Sequence, residues 1–153
     1  MNKKTGFFAL LCLVFALIVV PINAQEIEPV FPPSAIINAA YRGDEKTVLE
    51  ILALGCDKDV RDTTGATALH VAVFCGNSQV VKILLDYGFN PNAKTTRSGN
   101  TPLHNAVSAN NLNAARLLLQ YGALPGMKNL DGQSPIDKAR AEDKRAMLNV
   151  LLR

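Results

Sequence analysis

Apolar residues in this chain recur in short helical bursts separated by glycine. In "SQVVKILLDY", Ser78 to Tyr87, the residues Val81, Leu84 and Leu85 stand at i, i+3, i+4 and fall on one face of a helix. Gly88 follows, where a left-handed residue commonly ends a helix. Just upstream, "TALHVAVFC", Thr67 to Cys75, predicts another helix of about two turns, bounded by Gly76-Asn77. The same stripe appears earlier as Val48, Ile51 and Leu52. It returns later as Ala115, Leu118 and Leu119, then as Leu148, Leu151 and Leu152. No pair of such short helices buries its apolar face alone, but stacked pairs share a continuous core.

The bursts keep a fixed beat. Gly65, Gly99 and Gly132 lie 34 and 33 residues apart, as do Ala72, Ala106 and Ala139. Gly55, Gly88 and Gly122 follow at 33 and 34, which puts the extra residue in the turn "NPNAKTTRSG". One period upstream, Ala39 and Gly43 match Ala72 and Gly76. Three markers on one period predict an all-α solenoid of four helix-turn-helix repeats with hairpin-like turns, over 29–61, 62–94, 95–128 and 129–153.

The N-terminus breaks the pattern. Lys3 and Lys4 precede an uncharged apolar run from Phe7 to Val20, and "PINA" ends in a small residue before Gln25. That is the layout of a secretory signal peptide over 1–24, with cleavage after Ala24. The alternative, an uncleaved anchor, is disfavoured because the run is shorter than the about 20 residues that span a bilayer. Without the leader, 14 of the 16 basic residues face 13 acidic ones, so the net charge falls from +3 to +1. That balance argues against a nucleic-acid partner, and nothing apolar enough for a membrane remains after cleavage. Cys56 and Cys75 stay behind in a compartment that permits a disulfide. They are expected to remain reduced, because they fall at opposite ends of a helix about 12 Å long and a bridge needs Cα atoms within about 7 Å.

Thr101-Pro102-Leu103-His104-Asn105-Ala106 carries the T-P-L-H-x-A signature of the ankyrin repeat, which the chain resembles from Pro29 to Arg153. Thr67-Ala68-Leu69-His70-Val71-Ala72 is a variant, and Ser134-Pro135-Ile136-Asp137-Lys138-Ala139 a weaker one. Repeat one shows only Ser34-Ala35-Ile36-Ile37-Asn38-Ala39, and the departures at both ends suit capping repeats. The resemblance implies that His70 and His104 are structural, each bonding the hydroxyl of Thr67 or Thr101 and the backbone of the adjoining turn. Pro102 starts its helix with a preset φ and no amide hydrogen to leave unpaired, and Gly76 closes the helix before it.

Candidate chemistry changes this picture little. The sequence holds no G-x-S-x-G, no H-E-x-x-H, no P-loop and no dinucleotide fingerprint, so neither catalysis nor a cofactor is expected. Equivalent histidines on stacked repeats stand roughly 10 Å apart, too far to share a zinc held at about 2 Å from each nitrogen. Asp57, Asp59 and Asp62 lack the calcium-loop pattern and read as turn residues. What remains is a surface. Family resemblance places recognition at the end of each first helix and at the turn tips. By position these are Tyr41, Arg42, Phe74 and Ser108 on the helices, with Thr64, Ala66, Arg97, Ser98 and Asn100 at the turns. The chain is therefore expected to be a non-catalytic module, monomeric when free, that binds a protein partner on its concave face. Exported single-domain ankyrin proteins resemble periplasmic accessory or immunity proteins. The alternatives are a secreted effector acting on a host protein and a hydrolase with an unrecognised site.

Overall fold

Pairs of short helices alternate with tight turns through residues 31–153, the part of the chain that the computed structural model describes. The leader expected over 1–24, its cleavage after Ala24 and the start of the first repeat lie outside these residues. The pairs are α1 (Ala35–Arg42) with α2 (Glu45–Ala53), α3 (Ala68–Cys75) with α4 (Ser78–Asp86), α5 (Pro102–Ser108) with α6 (Leu112–Gln120), and α7 (Pro135–Ala141) with α8 (Arg145–Leu151). First helices stack on first helices and second helices on second, giving two parallel layers. This is the helix-pair solenoid that the periodicity predicts.

Several helices begin or end for a local reason. Thr67, Thr101 and Ser134 are N-caps in extended backbone, and each forms a reciprocal capping box with the residue three further on. Pro102 and Pro135 occupy the first helical position. Gly43 and Gly76 close α1 and α3 in the left-handed region. At the matching places after α5 and α7 the chain uses Asn110 (φ 51°) and Asp143 (φ 48°). These are the non-glycine types that enter this region at least cost. The glycine beat therefore hides a conformational beat that continues to the last repeat.

The core lies between the two layers. Helix α4 buries Val80, Val81, Leu84 and Leu85, and full burial of such a side chain contributes about 1.5–3 kcal/mol. Ala114, Ala115 and Leu118 do the same from α6, and Met147, Val150 and Leu151 from α8. Leu119 and Leu148 are half-buried. Leu152, expected on the apolar face, is 60% exposed. Helix α8 ends at Leu151, so Leu152 leaves the helical register.

Neighbouring repeats are also pinned by polar bonds. Asn77 Nδ2 donates to Ala40 O at 2.8 Å, and Asn111 Nδ2 to Val73 O at 3.3 Å. Lys144 Nζ donates to Val107 O and Ser108 O from the same place one repeat later. Each adds a second donor to a carbonyl in the last turn of a first helix, beside the cap backbone N–H that already reaches it. The lysine adds charge of the favourable sign there.

Candidate binding surface

Two buried histidines set the hairpins that carry the surface. Thr67 N–H donates to His70 Nδ1 at 3.2 Å, and the Thr67 hydroxyl lies 2.9 Å from the same nitrogen. On the other side His70 Nε2 is 3.0 Å from Asn100 O. A carbonyl only accepts, so Nε2 carries the proton and Nδ1 is free to accept. His104 repeats the arrangement, with Thr101 N at 3.1 Å, Thr101 Oγ1 at 2.9 Å and Gln133 O at 2.9 Å. The adjoining turn that each ring holds belongs to the next repeat. Burial pushes His70 down to about 4, because an imidazolium there would be desolvated and would point a second N–H at the amide of Thr67. His104 is lowered for the same reason. In the last repeat Asp137 replaces the histidine: its Oδ2 accepts from Ser134 N at 3.0 Å and from Ser134 Oγ at 2.6 Å. That hydroxyl bond holds its carboxyl below the usual range. Its hydrogen bonds stay within its own capping box.

The turns themselves differ by one residue, and the bonds locate it. Asp62 N donates to Ala66 O and Asn129 N to Gln133 O, each closing over four positions, while Thr95 N donates to Asn100 O over five. The extra residue of the third repeat therefore sits at the tip, among Thr96, Arg97 and Ser98. Asp62 Oδ1 accepts from the amides of Thr64 and Ala66 at 2.8 and 2.9 Å, and Asn129 Oδ1 accepts from Asp131 and Gln133. Asp57 likewise accepts from Asp59 N. These side-chain oxygens are committed to turns. Among the described residues no group of three His, Cys, Asp or Glu side chains is placed to hold a metal ion. Gly65 is required where hairpins stack, since a Cβ there would lie 1.9 Å from Thr96 Oγ1.

The expected contact residues do not all face solvent. Tyr41 and Phe74 are 68% and 61% exposed, one repeat apart at equivalent positions near the ends of α1 and α3. Arg42, Thr64, Arg97 and Ser108 are exposed as well. Ala66 is only 7% exposed: in the closed hairpin stem its methyl turns inward, so it offers no side chain to a partner. Ser98 and Asn100 are half-buried and spoken for. Ser98 O accepts from Leu130 N and its Oγ lies 2.8 Å from Thr95 Oγ1. Asn100 accepts from Asn129 through its side chain and from His70 through its carbonyl. They shape the surface rather than offering free groups to it. Sequence reasoning passed over Arg61, Lys94 and Lys128, which are exposed at one equivalent hairpin position of successive repeats. Their 33- and 34-residue spacing, the same beat as the glycines, is the signal that could have found them.

Known proteins show the same repeat in unlike settings. Residues 36–129 match the family model described as Ankyrin repeats (3 copies). Delta-latroinsectotoxin-Lt1a of Latrodectus tredecimguttatus is 37% identical over 67 residues, covering 42% of this chain and 6% of the toxin. The 2-5A-dependent ribonuclease of Mus musculus and palmitoyltransferase AKR1 of Saccharomyces cerevisiae are each 37% identical over 62 residues, 40% of this chain and 8% of theirs. The matched stretch thus spans less than a tenth of each of these relatives. With that match over more than half its length, paired helices in two layers and threonine–histidine boxes reaching from turn to turn, the chain belongs to the ankyrin-repeat family.

Proposed function

We propose that this protein is a non-catalytic binding module that acts outside the cytoplasm and holds one protein partner on the face formed by its first helices and hairpins. Ankyrin repeats are in general protein–protein interaction modules. The relatives bear names as different as a toxin, a ribonuclease and a palmitoyltransferase, which fits a repeat that serves recognition and leaves chemistry to other parts of those chains. One observation carries the reading. Tyr41 and Phe74 stand largely in solvent at the same position of adjacent repeats, beside Arg42 and next to the small Ser108 and Ala109. Aromatic and arginine side chains contribute most to protein interfaces, and a rigid scaffold lowers the cost of ordering them. Export rests on the leader-like residues 1–24, and a periplasmic site is the form of export proposed.

The test has two parts. Tyr41→Ala, Arg42→Ala and Phe74→Ala combined should abolish capture of the partner from native extract while leaving the circular dichroism spectrum unchanged. Unchanged capture would move the binding face elsewhere. Fractionation of the source cells should find the protein beyond the inner membrane, shortened by the leader. Recovery of the full-length chain in the cytoplasm would remove the export part.

A further inference from the structure

Charges are unevenly paired on this molecule. Among the described residues, the ion pairs Lys46–Glu50 and Lys82–Asp86 lie on the second helices. The others, Lys138–Glu142, Lys144–Glu142 and Arg145–Asp143, lie in the last repeat. Arg61, Lys94 and Lys128 at the hairpin bases appear in none of them. Instead they form a ladder. Arg61 Nη1 donates to Lys94 O at 2.6 Å and to Gly65 O at 2.8 Å, and Lys94 Nζ donates to Lys128 O at 2.7 Å. A carbonyl fixes the position of a cation without cancelling its charge. Arg61 keeps its other guanidinium nitrogens free to donate, and Lys94 keeps two ammonium hydrogens. Arg97 adds a further exposed cation at the lengthened tip. The fields reach inward: Arg61 disfavours the charged form of His70 against an opposing pull from Asp62, and Lys138 and Lys94 disfavour that of His104.

We propose that the hairpin face is a docking surface for an acidic, extended segment of the protein partner, with carboxylates on the Arg61–Lys94–Lys128 ladder. This rests on the protein-binding reading above and names the partner's chemistry. Spacing sharpens it. Stacked repeats advance by roughly 10 Å. A polyproline II segment returns to the same side every third residue, after about 9 Å. Carboxylates at i, i+3 and i+6 of such a segment therefore fall in step with the three cations. A nucleic-acid strand, with a phosphate every 3.4 Å or so, would outnumber them. Because two of the three cations are already held in place, less side-chain entropy is lost when the segment binds.

The probe is a dye-labelled peptide of about four Glu-Pro-Ala triplets, which favour the polyproline II form. It is titrated into the full-length chain by fluorescence anisotropy, alongside a Gln-Pro-Ala control, an isomer with its glutamates contiguous, and oligothymidylate. The spaced-glutamate peptide should bind at least about tenfold tighter than the glutamine control and weaken as salt rises. Lys94→Gln with Arg61→Gln should remove that preference, and Lys46→Gln with Lys82→Gln should leave it. Lys128→Glu, whose side chain holds no carbonyl among the described residues, keeps the test decisive if the ladder variants fail to fold. Equal affinity for the glutamate and glutamine peptides overturns the proposal, as does tighter binding of oligothymidylate. Equal affinity for the contiguous isomer overturns the spacing. If a partner is captured through Tyr41 and Phe74 yet ignores ladder substitutions, the inference fails while the binding reading stands. If the Tyr41, Arg42 and Phe74 variant captures as well as the parent, it is the reading that fails.

Discussion

Acid should destabilise this protein through its two turn histidines. The perturbation is a fall in pH from about 7.5 to 5, across the ordinary histidine value of 6.5. In the unfolded chain His70 takes up a proton in this range. In the folded chain it stays neutral until about 4, because it is buried with Nδ1 facing an amide donor. The folded value is the lower one, so the unfolded state binds more protons and stability falls as pH drops. The contribution is complete above 6.5, declines between 6.5 and about 4, and then levels off. The full difference corresponds to about 3 kcal/mol, with about 2 kcal/mol already lost by pH 5. His104, lowered in the same direction, adds to the slope. The carboxylates that cap turns and helices, such as Asp62 and Asp137, titrate below this window and do not confuse it. Urea melts at half-unit pH steps measure the effect. His70→Gln should cost about 1–3 kcal/mol at neutral pH through unpaired buried groups, and should flatten much of the slope. A stability constant between pH 7.5 and 5 would refute the assigned tautomer and the burial that enforces it.

Other expectations follow from packing and backbone. Leu84→Ala or Leu118→Ala, both fully buried, should cost about 2–5 kcal/mol in urea melts; a change below about half a kcal/mol would put the helix phase in error. Gly65→Ala should destabilise by about 2 kcal/mol or more, since it combines a left-handed φ of 79° with a clash against Thr96; an unaffected melting temperature would contradict the hairpin stacking. Thiol labelling of the denatured, leader-free protein should count both Cys56 and Cys75 as free, one half-buried and one exposed; a monomer with neither free would displace the alignment around Cys56.

Much of the scaffold was legible because ankyrin repeats write their turns in residue types with few substitutes. Glycines at positive φ, the Thr-x-x-His box and the helix-start proline each answer a local backbone need, so they recur on the period. Where a need has several answers the periodicity fades. Asn110 and Asp143 take the bend of Gly43 and Gly76 without matching their letters, and Asp137 takes the place of a histidine. The direction of a turn side chain is harder still. Ala66 reads as a tip residue, yet its burial is decided by how the stem closes and what stacks on it. The Arg61–Lys94–Lys128 ladder escaped because lysine and arginine are ordinary on any surface. Its regularity shows once the carbonyls it holds are seen.

The central claim is that one face of the stack binds a protein, and a site-specific photocrosslinker tests it most directly. Placed at Phe74, on the first-helix face, and separately at Leu49, exposed on α2, it should be activated in the source organism without purifying the protein first. A single discrete adduct from position 74 and none from position 49 is the predicted result. An adduct from Leu49 with none from Phe74 would contradict it.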